Sequence, residues 1–290
     1  MTNAGQIENV SDTALWVAEY RAMETSRTDA IFNDPFAARL SGERGRAIVS
    51  RMPRGKEMAW PMIVRTKVFD EVVLDYTKNH GVDLVVNLAA GLDARPWRLD
   101  LPPTLHWVDV DLPGILNHKA RELAGETPRC SYEAVTMDLR DEPRRRALFS
   151  QLGARHSRAL ILAEGLFVYL PPEAVGALIT DLHTQASFRW MMIDLASPRL
   201  LQMINRMWGK GVQNGNAPFL FAPADGTKFF ERYGWKELRY IPSMVEARRL
   251  KREMRMMWLW RIVMKLYPPK IRNEMKRFSG MVILDRIQDS

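Results

Sequence analysis

The chain has 290 residues, 47% of them hydrophobic and 26% charged, with 17 glycines, 17 prolines and one cysteine. These values are those of ordinary globular chains, and they exclude collagen-like, low-complexity and intrinsically disordered classes. Cys130 alone can form no internal disulfide, which points to a reducing compartment. The opening MTNAGQIENVSD lacks the basic and apolar regions of a secretory signal, and no stretch approaches about 18 uninterrupted apolar residues. A soluble, cytoplasmic protein is the expectation. The net charge of +8 is concentrated in one place. Residues 247–277 hold eleven Lys/Arg against Glu253 and Glu274, leaving the rest of the chain at −1.

In chain order, residues 11–24 read as a helix opened by Ser11-Asp12-Thr13. Ala14, Leu15, Ala18 and Ala22 share one face and Arg21 lies beside it. A second helix is expected over 61–79, with Arg65 in its first turn. Seven strands follow from apolar runs bounded by breakers: 82–89, 105–110, 131–137, 158–165, 188–196, 235–241 and 280–287. Helices are expected over 113–124 and from Pro171-Pro172-Glu173. Strand and helix alternation over 82–196 is that of a doubly wound α/β domain whose strands are mostly parallel and buried on both faces. One domain is expected, with helical additions at its start and between its late strands.

Ligands of such a sheet bind outside the carboxyl ends of the strands. After the first strand comes Asn87-Leu88-Ala89-Ala90-Gly91, whose small side chains allow a close backbone approach. It is not G-x-G-x-x-G, which lowers the expectation of dinucleotide binding. Asp111 ends the second strand 20 residues beyond Gly91, and its two oxygens suit a ribose hydroxyl pair. Asp138 and Glu164 end the next two strands. A strand-end Asp often merely caps a turn, but three carboxylates beside a small-residue turn suit adenosine carrying a cationic group.

NLAAGLDARPWRL, VDVDLP, MDLRD and EGLFVYLPPE resemble the leucine carboxyl methyltransferase family. More specifically, they are similar to its bacterial branch of small-molecule O-methyltransferases, some acting on polyketides. SDTALWVAEYRAME with FNDPFA, and the late FAPADGTKFFERYGW, extend the resemblance over nearly the whole chain. It implies a class I S-adenosylmethionine-dependent methyltransferase fold: α/β, Rossmann-like, a seven-stranded and mostly parallel sheet with an antiparallel last strand, N-terminal helices and a helical lid. Residues 1–80 would cover the site, 81–196 would form the cofactor-binding core, and 197–290 would add lid helices and the last two strands of the same domain. The resemblance implies that Arg65 holds the methionine carboxylate and that Ala89, Ala90 and Gly91 face the amino acid portion. Asp111 would take the ribose, Asp138 and Leu139 the adenine, and Glu164 the methionine ammonium or a neighbouring backbone. Ala89 stands where many relatives have the first glycine of the loop. S-adenosylhomocysteine is the implied product.

Methyl transfer to oxygen needs an aligned acceptor and, for a hydroxyl, a general base. None of the five histidines falls at a strand end, which mildly favours a carboxylate or acidic phenol as acceptor. Asp194, near the end of strand five, and Tyr169, just after strand four, are the remaining polar candidates; either binds substrate or only satisfies buried backbone. Arg21 is a further substrate candidate. No paired-His or C-x-x-C spacing supports a metal. Segment 247–266 opens amphipathic, with Leu250, Met254 and Met257 opposite Arg248, Lys251, Arg252 and Arg255. It then turns apolar nearly all round through Trp258 and Trp260. Such a segment packs in a core, lids an apolar acceptor, or touches a membrane surface. A small-molecule acceptor is the expected partner. The alternatives are a protein C-terminal carboxyl methyltransferase, an RNA methyltransferase or nucleic-acid binder using the basic 247–277 segment, and a binding protein without turnover. The near-neutral body counts against nucleic acid.

Overall fold

The computed structural model describes residues 10–52, 54–214, 218–254, 257, 259, 262, 263, 267, 268 and 275–288, without the side chains of 10–11 and 207–214. Helix α1 (Val10–Thr25) packs on α2 (Ala37–Arg51), and α3 (Trp60–Asn79) leads into the sheet. The α1–α2 contact is anchored by Arg44, whose Nε and Nη2 each donate 2.8 Å hydrogen bonds to the Asp12 carboxylate. Helix α2 was not expected from the sequence. It is kinked at Gly42 (φ 58°, ψ −162°), a left-handed conformation that glycine adopts without strain.

The seven strands are β1 (Leu84–Leu88), β2 (His106–Asp111), β3 (Ser131–Thr136), β4 (Ala159–Ala163), β5 (Phe188–Ala196), β6 (Trp235–Pro242) and β7 (Ser279–Arg286). They form one sheet in the order β3-β2-β1-β4-β5-β7-β6. Strands β1 to β5 run parallel, and β7 lies antiparallel between β5 and β6. Every residue of β1 and β4 is buried, which explains their unbroken apolar runs; the edge strand β3 is largely exposed. Crossing helices are α4 (Arg95–Arg98), α5 (Pro113–Glu122), α6 (Glu142–Arg155) and α7 (Pro172–His183). Late additions are α8 (Pro198–Asn214), α9 (Lys228–Glu231) and α10 (Ser243–Arg249). The chain runs from β1 to β2 and β3 on one side, then returns to β4 on the other. The crevice is therefore set at the carboxyl ends of β1 and β4.

The basic segment departs from the amphipathic helix expected over its first turns. Helix α10 stops at Arg249, Lys251 adopts φ 55°, and Arg252 turns inward to only 8% exposure. There its Nη2 donates to Glu24 Oε1 (2.6 Å) and to the Asp29 carbonyl (2.6 Å). The cause is electrostatic: the Glu24 side chain in α1 is fully buried and requires a counter-charge. Arg249 likewise pairs with Glu71, and Arg277 with Glu237. Trp258, Trp260 and Arg255 lie outside the described residues. No described helix is long and apolar enough to cross a membrane.

Candidate active site

The loop after β1 carries two consecutive small residues and then glycine. Ala89 (φ 51°) and Gly91 (φ 52°) are both left-handed, so the chain turns sharply off the sheet. The Gly91 amide donates to Asp111 Oδ2 (2.6 Å) and the Leu112 amide to Asp111 Oδ1 (2.7 Å), so one carboxylate ties the ends of β1 and β2 together. Burial pushes the Asp111 carboxyl up, against the pull of these two amides. An alanine at left-handed φ is strained where glycine is not. Ala89→Gly is expected to stabilise the fold by about 0.5–1 kcal/mol, after the extra chain entropy of glycine, read as a rise in the urea midpoint.

Glu164, just past β4, joins two arginines: Oε1 accepts from Arg65 Nε (2.9 Å), and Oε2 lies 2.9 Å from Arg95 Nη1. Arg65 extends from α3 and also donates from Nη1 to Asp194 Oδ2 (3.0 Å), whose Oδ1 accepts the Gly165 amide (2.6 Å). A Cβ on Gly165 would come within 3.1 Å of Arg65 Nη1, so this glycine (φ 68°) leaves room for the guanidinium. Arg95 continues to Asp70 (2.7 Å) and Asp93 (2.6 Å), Arg98 takes both oxygens of Asp70, and Asp34 receives Arg21 Nε (2.8 Å). Burial opposes ionisation of Asp93, but Arg95, Lys119, Arg98 and the Arg95 amide outweigh it and hold the carboxyl at about 2. Aspartate in an unfolded chain titrates near 3.8. Asp93 therefore stabilises the fold above about pH 4, and that contribution, roughly 2 kcal/mol, is lost as pH falls toward 2. Asp93→Asn is expected to flatten the acid limb of a stability–pH profile measured by urea unfolding.

Of the residues expected at the site, Arg65, Glu164 and Asp194 are in direct contact. Ala89, Ala90, Gly91 and Asp111 form the adjoining loop. Asp138 ends the next connection, half-buried, its carboxyl gripped by Arg140 and drawn below the usual range. Leu139 packs on the core, and its carbonyl accepts from Arg145 Nη1 (2.8 Å). Tyr169 is half-buried, bonded to the Thr13 side chain and set 5.5 Å from the Phe219 ring; burial raises its phenol, with Thr13 and Arg65 opposing. It is therefore a neutral hydroxyl at pH 7. Arg21 is buried and braces the loop, donating from Nη2 to the Leu92 carbonyl (2.6 Å).

Asp70, Asp93, Arg95 and Arg98 were given no role from the sequence. The available signal was the charge of Arg65 and Asp70 at buried positions of α3. The crevice gathers Arg21, Arg65, Arg95 and Arg98 against Asp34, Asp70, Asp93, Asp111, Glu164 and Asp194, an excess of negative charge. That excess, with no glycine-rich phosphate cradle, fits a cationic sulfonium nucleoside and disfavours a pyrophosphate. A cavity of about 440 Å³ lies between α1, the Gly42 kink of α2 and the start of α5, lined by Leu15, Gly114 and Ile115 among others. A second of about 640 Å³ lies beyond α3 against β6 and α10, and neither cavity is lined by the arginines and carboxylates of the crevice.

Sheet order, the antiparallel β7 and the carboxylate-tipped crevice define the class I, Rossmann-like methyltransferase fold. A provisionally named methyltransferase from Thermobifida fusca has this fold, with a TM-score of 0.59, 14% identity, and 99% of this chain and 97% of that one covered. So does a DUF574 family protein from Streptomyces avermitilis, with a TM-score of 0.55, 14% identity, and coverage of 93% and 96%. The leucine carboxyl methyltransferase family model matches residues 14–183, and the chain belongs to that family. A Streptomyces coelicolor relative is 32% identical over 249 residues, covering 80% of this chain and 84% of its own length. A Mycolicibacterium smegmatis relative is 37% identical over 194 residues, 60% of this chain. Both are provisionally named S-adenosylmethionine-dependent methyltransferases. The chain spans 63% of the M. smegmatis relative and 58% of a Mycobacterium marinum one.

Proposed function

We propose that the chain is an S-adenosylmethionine-dependent methyltransferase acting on an oxygen, carboxylate or phenol/hydroxyl, of a small apolar metabolite such as a polyketide. The observation that carries this reading is the set of strand-end carboxylates, Asp111, Asp138 and Glu164, beside the Ala89–Gly91 turn, in a chain of this family. S-adenosylmethionine, held by these residues, would supply an electrophilic methyl group for transfer from sulfur to the acceptor oxygen. Asp111 would accept from the ribose hydroxyls, Asp138 and Leu139 would flank the adenine, and Arg65 and Glu164 would hold the amino acid end. Tyr169, a neutral hydroxyl, is suited to donate a hydrogen bond to the acceptor, and Asp194 would be the carboxylate to take a proton from a hydroxyl. Trp258 and Trp260, which lie outside the described residues, would contact the acceptor. Peripheral membrane contact through 247–266 and a cytoplasmic location belong to the same proposal. The pairing of Arg249, Arg252 and Arg277 with acids of the body favours a small-molecule acceptor over nucleic acid.

Calorimetric titration of S-adenosylhomocysteine tests the reading. Micromolar binding is expected for the unsubstituted chain, and Asp111→Ala is expected to weaken it about a hundredfold, about 2.8 kcal/mol. No binding to the unsubstituted chain would overturn the assignment.

A further inference from the structure

At the foot of the sheet, opposite the Asp111 tip, two histidines meet. His106 opens β2, and His156 follows the last residue of α6. His106 Nδ1 lies 3.1 Å from His156 Nε2. Asp83, just before β1, creates this approach. Its carboxylate accepts the Ser157 and Arg158 amides (2.8 and 2.9 Å), and its carbonyl accepts the His106 amide (3.0 Å). A carboxylate faces the far nitrogen of each imidazole, within hydrogen-bond reach at His106 and beyond it at His156. Ser131 of β3 is the register partner of His106, so Glu133 two residues on shares its face, and Glu133 Oε2 lies 3.2 Å from His106 Nε2. Asp83 Oδ2 lies 3.9 Å from His156 Nδ1. The two rings are mostly buried, with side chains 22% and 16% exposed.

We propose that His106 Nδ1 and His156 Nε2 form a binding site for a divalent transition-metal ion, with Glu133 and Asp83 orienting the ligands from behind. Imidazole–metal bonds of about 2.1 Å across this separation give an N–metal–N angle of about 95°. That is a cis pair of a tetragonal or octahedral centre, so copper(II) or nickel(II) suits it better than tetrahedral zinc. No group of three or more possible ligands is gathered among the described residues, so water completes the sphere. The Glu133 carboxylate behind His106 is the arrangement that fixes the tautomer of a ligating histidine. The Glu133 contact assigns a proton to His106 Nε2, so His106 Nδ1 accepts from His156 Nε2–H in the metal-free chain. Binding moves that proton to His156 Nδ1, facing Asp83, and releases none. An ion here would clip the start of β2 to the segment entering β4.

Copper(II) titration of the full chain, followed by calorimetry and electron paramagnetic resonance, tests the site. One equivalent bound in the micromolar range is expected, with hyperfine splitting from two imidazole nitrogens and a raised Tm. His106→Gln and His156→Gln should each weaken binding at least tenfold and remove one nitrogen. Glu133→Gln keeps both ligands and should weaken binding about tenfold. His118→Gln should leave it unchanged. A spectrum of the unsubstituted chain showing fewer than two imidazole nitrogens overturns the proposal, as does affinity indifferent to His106→Gln.

Discussion

Asp109→Ala is expected to remove roughly 3–5 kcal/mol of folding stability, the typical cost of stranding one member of a buried ion pair. The Asp109 side chain is fully buried in β2 and lies 2.5 Å from Lys119 Nζ, itself only 1% exposed. It also accepts from Trp107 Nε1 (2.8 Å), Tyr132 OH (2.8 Å) and Asn87 Nδ2 (3.0 Å). Alanine would leave an ammonium in the interior with the faces of Trp97 and Tyr132, 5.3 and 5.8 Å away, and the charge of Asp93 to receive it. Three neutral donors would lose their acceptor as well. Urea unfolding measures the loss. Asp109→Leu combined with Lys119→Met, which removes both charges, should recover much of it, whereas a single-variant loss below about 1 kcal/mol would show that solvent reaches the pair. The effect extends to the site, because Asn87 Nδ2 also donates to Asp93 Oδ2 (3.1 Å) behind the Ala89–Gly91 loop.

Glu164→Gln is expected to cost about 2–3 kcal/mol and to weaken S-adenosylhomocysteine binding at least tenfold. The carboxylate serves Arg65 with one oxygen and Arg95 with the other. A glutamine amide keeps one acceptor and turns an NH₂ toward the second guanidinium, so one arginine loses its bond and both lose counter-charge. Asp194 would still hold Arg65, and Asp70 and Asp93 would still hold Arg95, which keeps the loss below that of Asp109→Ala. Unfolding and ligand titration on the same variant separate the two effects. Unchanged affinity in a destabilised variant would mean that Glu164 serves the fold alone.

The periodic parts of the chain were legible before folding. Helix 11–24 is observed as Val10–Thr25 and helix 61–79 as Trp60–Asn79, because capping residues and apolar faces are local properties. All seven strands were legible, β1 and β4 most directly, since they are buried on both faces and read as unbroken apolar runs. Helix α2 escaped because Gly42 and Gly45 lower helix propensity, and its kink is acceptable only once α1 packs against it.

The strand-end positions of Asp111, Asp138 and Glu164 follow from local residues, because strand length and the following turn are set by immediate neighbours. So does the small loop that lets Asp111 reach the Gly91 amide. Which arginine answers which carboxylate was decided only by the tertiary structure. Arg65 meets Glu164 across 99 residues and Asp194 across 129, and Arg252 reaches Glu24 across 228. A charged side chain carries no local mark of its partner. Its choice is made by desolvation: a carboxylate that packing has buried must be answered by the cation the fold brings within about 3 Å, however far apart the two lie along the chain.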